Sequence, residues 1–321
     1  MRRHKVSIIG AGMVGSTTAH CLAGKDIADI LLVDIKDGLS TGKGLDLFEA
    51  SPISEFHGHI EGTGDYALSR GSDLVVVTAG IPRKPGMSRK ELIGINGEIV
   101  VNAISECLKY SPDAKVIIVT NPVDVLVEVV RRTLSLPRNQ IMGMSGMLDS
   151  SRLRTFIAVE LNIAPHDINA MVIGAHTAEN MIPMLRLANV NSVPLKELLP
   201  QEKWPEIVER TKNAGAEIVS LLEIGSAYYA PAEATAEMVD AILRDKKRVM
   251  PCSVCLEGEY GLNKCALGLP VILGKEGVEK VLEIELTDEE KQELAKGAQF
   301  VKNMVIVSGK NGPVLVKRMI I

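Results

Sequence analysis

The sequence has few aromatic residues, no excess of basic residues and no long apolar run. Phe, Trp and Tyr make up 3% of its 321 residues, which leaves little material for stacking nucleic-acid bases. The formal net charge of −4 argues against a phosphate-backbone binder, which needs a basic surface. No apolar run approaches the roughly 18 residues of a membrane-spanning helix. The N-terminus lacks the apolar core of a secretory signal, so we expect a cytoplasmic protein without nucleic-acid or membrane partners.

Cysteine is also scarce, and its spacing does not favour a metal site. The pair Cys252 and Cys255 has one further cysteine nearby and no second pair, whereas structural zinc needs a fuller ligand set. The sequence therefore predicts no metal and free, mostly buried thiols. The five cysteines are Cys21, Cys107, Cys252, Cys255 and Cys265.

The sequence does contain a glycine motif between a predicted strand and a predicted helix. Val6–Ile9 is a short apolar run typical of a buried strand, and Met13–Leu22 is typical of a helix. Gly10, Gly12 and Gly15 have the GxGxxG spacing. These glycines allow a tight turn, a close approach of the backbone to a pyrophosphate, and close helix–strand packing. The positive end of the helix then favours the phosphates of a dinucleotide.

An acidic residue at the end of the next strand indicates which dinucleotide. The strand Ile30–Val33 leads into Asp34, whose carboxylate can bind ribose hydroxyls and would repel a 2′-phosphate. The sequence therefore predicts NAD as the cofactor. The nearby Lys36 leaves NADP as an alternative, and a glycine-rich turn without a ligand is the other alternative for the motif.

Strands and helices alternate up to about residue 144, which predicts a doubly wound parallel sheet. Continuous apolar strands of this kind are covered on both faces. The predicted strands are 74–78, 116–119 and 141–144, and the predicted helices are 41–50, 89–110 and 123–133. A short strand and a short helix are expected within 54–73. We predict a Rossmann-type NAD-binding domain over residues 1–144.

The rest of the chain mixes helices with strands of antiparallel type. Thr287 and Glu290 form a capping-box pattern that starts the last predicted helix. The predicted helices are 148–161, 205–222, 231–244 and 288–304, and the predicted strands are 170–174, 249–256 and 270–273. We therefore predict an α+β substrate domain over residues 145–321.

Charged and polar residues that suit an acid–base site lie at strand ends and on one helix. A basic loop after a sheet strand suits an anionic substrate, and Asp149 and Arg152 are spaced to share a helix face. Taken singly, these residues could be a solvated loop, a turn residue, an intrahelical ion pair and a structural histidine. Taken together, they predict general acid–base chemistry. They are Arg83, Arg89, Asn121, Asp149, Arg152 and His176.

These motifs together resemble the lactate/malate dehydrogenase family, and within it the lactate-dehydrogenase-like malate dehydrogenases. The resemblance covers nearly the whole chain. It is carried by Gly-Ala-Gly-Met-Val-Gly at 10–15, Thr-Ala-Gly-Ile-Pro-Arg-Lys-Pro-Gly-Met-Ser-Arg at 78–89, Thr-Asn-Pro-Val-Asp at 120–124, Leu-Asp-Ser-Ser-Arg at 148–152 and Tyr-Ala-Pro-Ala-Glu-Ala-Thr-Ala-Glu-Met at 229–238. It implies NAD-dependent, reversible oxidation of (S)-malate to oxaloacetate.

The resemblance also implies a role for each candidate residue. His176 would exchange the proton, and Asp149 would hold it and stabilise its charge. Arg152 would clamp the C1 carboxylate, Arg89 would polarise the carbonyl when its loop closes, and Asn121 would bind substrate and the nicotinamide region. The NAD-binding residues would be Gly10, Ala11, Gly12, Met13, Val14, Gly15, Asp34, Asn96, Val119 and Asn121.

Arg83 carries the choice of substrate. The resemblance implies that it binds the second carboxylate of a dicarboxylate, which malate has and lactate lacks. Lactate dehydrogenases typically have a neutral residue at this position. The alternatives are a lactate or other 2-hydroxyacid dehydrogenase, and a dinucleotide-binding relative without catalysis.

The chain departs from the family pattern directly after His176. The family usually has Gly-Asp there, whereas this chain has the run Thr177–Asn180 and is one residue longer before Pro183. This departure leaves the exact aim of the histidine open. The resemblance further implies a homodimer or homotetramer, and the apolar run at 314–316 with 319–321 is expected to be buried, for example at an interface.

Overall fold

The computed structural model describes residues 2–82 and 86–309 of the chain, and the side chains of Arg89 and of residues 306–309 lie outside the description. Arg83 and the apolar C-terminal run at 314–321 also lie outside it. No helix within the described ranges is long and apolar enough to span a membrane.

The first half of the chain builds six parallel strands whose side chains are almost entirely buried. Their order is β3-β2-β1-β4-β5-β6, so the direction of winding reverses between β1 and β4. Ligands of such sheets bind where the carboxyl ends of the strands meet this reversal. The strands are β1 His4–Ile9, β2 Ala28–Val33, β3 Ile60–Thr63, β4 Leu74–Val77, β5 Lys115–Ile118 and β6 Ile141–Gly143.

In the described part of this half, five α-helices lie between these strands. The longest starts with a capping box, in which the Ser88 hydroxyl accepts the Glu91 N–H and the Glu91 carboxylate accepts the Ser88 N–H. This box fixes where the loop after β4 ends. The helices are α1 Met13–Lys25, α2 Asp37–Glu49, α3 Ser51–Ser54, α4 Arg89–Tyr110 and α5 Val123–Leu134.

The second half extends the same sheet with antiparallel strands. The order continues from β6 through β12, β13, β8 and β9, with β14 paired to β13, while β7, β10 and β11 form a small separate sheet. The strands are β7 Ile168–Asn169, β8 Val172–Gly174, β9 Met181–Pro183, β10 Asn189–Val190, β11 Val193–Pro194, β12 Arg248–Glu257, β13 Asn263–Gly274 and β14 Gly277–Val281. The helices are α6 Gly146–Leu161, α7 Leu195–Leu198, α8 Trp204–Leu222, α9 Tyr229–Leu243 and α10 Asp288–Gly309.

The two halves meet through a row of very small residues. Gly143 of β6 pairs with Ser253 of β12, Ser253 pairs with Gly268 of β13, and Gly268 pairs with Gly174 of β8. A Cβ at Gly268 would lie 2.8 Å from the carbonyl oxygen of Gly174. The row therefore needs glycine to let the strands and their covering helices approach, and we call it the glycine row.

The predicted fold class is confirmed, with differences at several element boundaries. The predicted range 89–110 of α4 is the observed range, and the Thr287–Glu290 capping box is present. Helix α2 begins four residues earlier than predicted, and Ser51 and Pro52, predicted to end it, form the start of the short α3. Strand β13 begins at Asn263, well before the predicted 270. The strands β7, β9, β10, β11 and β14 were not predicted.

Candidate active site

The glycine motif forms the tight turn between β1 and α1. Gly10 has a positive φ of 104°, and a Cβ at this position would lie 2.7 Å from the backbone nitrogen of Ala79. A Cβ at Gly15 would lie 1.9 Å from the carbonyl oxygen of Gly10, so strand and helix are in direct contact. Gly12 has open space around it and is the N-cap of α1, where no side chain of the described residues accepts the free N–H groups. The first turn of α1 therefore fits a phosphate.

Asp34 lies beside this turn and accepts a hydrogen bond from its backbone. Its Oδ2 accepts the Ala11 N–H at 2.8 Å, and its Oδ1 accepts the Lys36 N–H at 2.9 Å. Each carboxylate oxygen has a further lone pair, so the group can still accept ribose hydroxyls. Lys43 of α2 donates from Nζ to the Ala11 carbonyl oxygen at 2.9 Å, so Ala11 is held from both sides. No sequence motif points to Lys43, because its contact depends on how α2 packs.

Asn96 joins two loops at the carboxyl edge of the sheet. It is 2% exposed, and its Oδ1 accepts the Ile81 N–H while its Nδ2 donates to the carbonyl oxygens of Ile81 and Asn121. The side chain thus fixes the loop after β4 against the loop after β5. This arrangement favours a positioning role for Asn96 beside the predicted contact with NAD.

His176 and Asp149 form a buried imidazole–carboxylate pair. Asp149 lies in the first turn of α6, and His176 follows β8. The imidazole Nδ1 lies 2.6 Å from Asp149 Oδ2, and their side chains are 12% and 2% exposed. This contact leaves Nε2 as the ring nitrogen that can exchange a proton with a substrate.

The charges around His176 favour its protonated form. Burial lowers the pKa of the imidazole, but the negative charge and hydrogen bond of Asp149 outweigh burial, with help from Asp124. Arg152 acts in the opposite direction, and the net result is a pKa above the ordinary value of 6.5. A raised pKa suits a proton donor that works near neutral pH.

Arg152 supplies a cation on the same helix face as Asp149. Its Nη1 donates to Asp149 Oδ1 at 3.3 Å, and its side chain is 13% exposed. Its buried Nε has no hydrogen-bond partner among the described residues. A guanidinium with an unused donor offers the fork that binds a carboxylate.

These residues border a cavity of about 300 Å³. Its lining also includes Val14 of α1, Val119 directly after β5, and Gly215 and Val219 of α8. The structure therefore brings Asn121, Arg152 and His176 together, with Asp149 behind the histidine. Arg83 and the Arg89 side chain, both predicted to bind substrate, lie outside the described residues.

The unusual segment after His176 folds into a compact turn. The N–H groups of Asn180 and Met181 both donate to the carbonyl oxygen of Thr177, and Asn180 Nδ2 donates to the Thr177 hydroxyl at 2.8 Å. The turn absorbs the longer run, and His176 still contacts Asp149. The longer run is thus compatible with the contact between the His176 ring and Asp149.

Comparison with known proteins identifies the family. Residues 4–143 match the NAD-binding domain of the lactate/malate dehydrogenases, and residues 146–308 match their alpha/beta C-terminal domain. The chain belongs to the lactate/malate dehydrogenase family. Membership makes it an NAD-dependent oxidoreductase, so the predicted family, enzyme class and cofactor are confirmed.

Individual members of the family are similar over almost the full length. The malate dehydrogenase of Roseiflexus castenholzii is 49% identical over 303 residues, which are 94% of this chain and 98% of the relative. The malate dehydrogenase of Geobacillus kaustophilus is 48% identical over 307 residues, with coverage of 95% and 98%. The apo malate dehydrogenase of Picrophilus torridus superposes with a TM-score of 0.92 at 41% identity, covering 96% and 98%. The lactate dehydrogenase of Eimeria maxima with NADH and oxamate gives 0.92 at 38% identity, covering 98% and 97%.

The structure also shows polar residues that the sequence analysis missed. Asp124 accepts the backbone N–H of His176, and Ser253 donates its hydroxyl to Asp124. In the sequence, Asp124 ends the Thr-Asn-Pro-Val-Asp motif but was assigned no role there, and Ser253 looks like a polar residue in a strand. Their contacts arise only where the two halves of the sheet meet.

Proposed function

We propose that this chain catalyses the reversible, NAD-dependent oxidation of (S)-malate to oxaloacetate. The observation that carries the proposal is the buried His176–Asp149 pair facing a cavity that also presents Arg152. The similar proteins from Roseiflexus castenholzii and Geobacillus kaustophilus are named malate dehydrogenases, which supports malate over other 2-hydroxy acids.

The chain's own residues account for binding and proton transfer. Arg152 binds the C1 carboxylate, and Asn121 hydrogen-bonds the reacting oxygen. In oxidation, His176 Nε2 takes the hydroxyl proton, and Asp149 stabilises the resulting imidazolium. In reduction, the imidazolium returns the proton to the carbonyl oxygen. The nicotinamide, when bound, supplies the hydride acceptor for oxidation and the hydride donor for reduction.

The cofactor is held by the glycine turn and its neighbours. The residues are Gly10, Ala11, Gly12, Met13, Val14, Gly15, Asp34, Asn96, Val119 and Asn121. Asp34 favours NAD over NADP because its carboxylate would repel a 2′-phosphate. Gly12 gives the most direct support for dinucleotide binding at this turn, because its open surroundings leave the N-terminus of α1 accessible to the pyrophosphate.

Arg83 and Arg89 complete the proposed site, although Arg83 and the side chain of Arg89 lie outside the described part of the chain. Arg89 polarises the carbonyl when the loop before α4 closes, and Arg83 binds the second carboxylate. The support for both roles is the family motif in which they stand. A lactate dehydrogenase remains the second candidate because the Eimeria maxima neighbour carries that name.

The proposal extends to organisation and compartment. We propose a division into an NAD-binding domain at 1–144 and a substrate domain at 145–321, supported by two family models that meet near this boundary. We also propose a homodimer or homotetramer located in the cytoplasm. The five free thiols support the cytoplasm, since free cysteines suit a reducing compartment.

The decisive assay is initial-rate oxidation of NADH with oxaloacetate and, in parallel, with pyruvate, each repeated with NADPH. The proposal expects a strong preference for oxaloacetate with NADH. His176→Asn should lower turnover by about 10²- to 10⁴-fold, the usual contribution of a general acid–base residue. The exposed His166→Asn is the matched control and should keep full activity. A preference for pyruvate would favour the lactate dehydrogenase alternative.

A further inference from the structure

Asp124 is a buried carboxylate in the first turn of α5, and the proposed proton transfer does not use it directly. It is 4% exposed. A buried carboxylate is costly unless hydrogen bonds and nearby charges compensate for the lost water. The contacts that Asp124 makes therefore indicate why the chain keeps it.

Both carboxylate oxygens are held by the second half of the chain. Oδ2 accepts the backbone N–H of His176 at 2.6 Å, and Oδ1 accepts the hydroxyl of Ser253 at 2.6 Å. Ser253 lies on β12 and is completely buried. Asp124 thus belongs to a helix of the NAD-binding half. Both of these hydrogen bonds come from residues of the other half.

The glycine row makes this arrangement possible. A Cβ at Gly143 would lie 2.5 Å from Val123 Cγ2 and 2.9 Å from Ser253 Cβ, so the first turn of α5 lies directly against the row. Ser253 is the polar side chain in that row. Any larger residue in place of Gly143 would push α5, and Asp124 with it, away from Ser253.

Asp124 contacts the backbone of His176, whereas Asp149 contacts its ring. Gly174 has a positive φ of 91° at the end of β8, and the chain turns there toward His176. Asp149 then fixes the ring, while Asp124 fixes the backbone of the same residue. The charged groups that act on the imidazole are Asp149, Asp124 and Arg152.

We infer that Asp124, oriented by Ser253, is a positioning residue for proton transfer: it fixes the backbone of His176 and places a second negative charge beside the imidazole. The inference rests on the proposed function of His176. Burial keeps the pKa of Asp124 above its ordinary value, and the hydrogen bonds from Ser253 and His176 limit that rise. Ser253 therefore supports both the orientation and the charge of Asp124.

Asp124→Asn is the central test because it keeps the volume and one acceptor oxygen while removing the charge. We expect the pKa of His176 to fall, kcat/KM for oxaloacetate to drop by about tenfold or more, and the Kd for NADH to stay within about twofold. Ser253→Ala should shift the same quantities in the same direction by less. Asp240→Asn removes another buried carboxylate, on α9, and should leave the pKa of His176 unchanged.

The measurements are NMR titration of the His176 ring in the free protein, pH profiles of kcat/KM, and NADH binding by fluorescence. A folded Asp124→Asn protein with an unchanged pKa and unchanged kcat/KM would overturn the inference. If Asp124→Asn does not fold, the Ser253→Ala protein decides, and unchanged values there overturn it. Because the titration needs no substrate, a wild-type protein inactive on oxaloacetate would refute the proposed function without refuting this inference.

Discussion

At the level of single residues, the protonation of His176 should set the direction in which the enzyme works best. Its pKa lies above 6.5 because Asp149 and Asp124 outweigh burial. Oxaloacetate reduction needs the imidazolium, so kcat/KM should stay constant up to this raised pKa and fall about tenfold per pH unit above it. Malate oxidation needs the neutral ring, so its kcat/KM should rise about tenfold per pH unit below this pKa and stay constant above it. Initial rates in both directions across pH give the midpoint directly.

Asp149→Asn provides the control for this pH dependence. The substitution removes the largest group that favours the charged ring, so the midpoint of the reductive profile should move to lower pH. A wild-type midpoint at or below the ordinary histidine value would contradict the assignment. So would an Asp149→Asn profile that coincides with that of the wild type.

Arg83 should determine substrate choice through a single charge. A guanidinium that binds the distal carboxylate contributes about 1.5–3 kcal/mol, the usual range for hydrogen bonds to charged groups. Arg83→Gln should therefore lower kcat/KM for oxaloacetate by about 10- to 150-fold and change pyruvate reduction much less. Parallel kinetics with the two substrates measure this difference, and equal losses on both would refute the role of Arg83.

The candidate acid–base residues could be predicted because their types and spacing are unusual. Asp149, Arg152 and His176 were predicted from sequence, and the structure places them together. Asp124 and Ser253 could not be predicted in this way, because an aspartate at a helix start and a serine in a strand are common. Their hydrogen bond depends on the pairing of β6 with β12 in the glycine row, which no local sequence pattern encodes.

At the level of elements, the glycine row should tolerate no added side chain. In Gly268→Ala, the new Cβ would lie 2.8 Å from the Gly174 carbonyl oxygen and 3.2 Å from Ser145 Oγ. Overpacking of this kind costs about 1–3 kcal/mol. We therefore expect a lower free energy of unfolding, together with reduced activity because Gly174 leads into His176. Denaturant unfolding and NADH oxidation measure the two effects.

Gly24→Ala is the matched control for the same chemical change. Gly24 is exposed within α1 and has no atom within 4 Å of the position of a Cβ. Alanine there should stabilise the protein by about 0.5–1 kcal/mol, because it restricts the unfolded chain and favours the helix. If both alanine variants had the same stability, close strand contact in the glycine row would not be the cause.

Element boundaries followed the sequence where local chemistry defines them. The capping boxes at Ser88 and Thr287 fix the starts of α4 and α10, and both starts were predicted. Strand β13 extends well beyond the apolar run at 270–273, because its long partner β12 supplies hydrogen bonds along its whole length. The two-residue strands β7, β10 and β11 exist only through pairing with one another. Tertiary pairing of this kind leaves little trace in the sequence.

At the level of the whole molecule, two helices present apolar side chains to the outside. Leu39, Leu45 and Phe48 are exposed on α2, and Leu221 and Leu222 are exposed at the end of α8. Exposed large apolar side chains that are grouped on one helix are candidates for an interface. Because Gly215 and Val219 of α8 also line the candidate active-site cavity, a subunit contact at the end of α8 would support the proposed site as well.

The expected result is a homodimer or homotetramer whose activity depends on assembly. A stable subunit contact buries roughly 1,200–2,000 Å² and excludes charge from its centre. Leu221→Lys combined with Leu222→Lys should therefore shift sedimentation toward the monomer at micromolar concentration and lower kcat, while the free subunit keeps its circular dichroism spectrum. Leu187→Lys, a similarly exposed leucine in a different turn, is the control. A wild-type chain that sediments as a monomer would exclude this use of α8, and the cavity would then be stabilised by the contacts of α8 with α6 within the same chain.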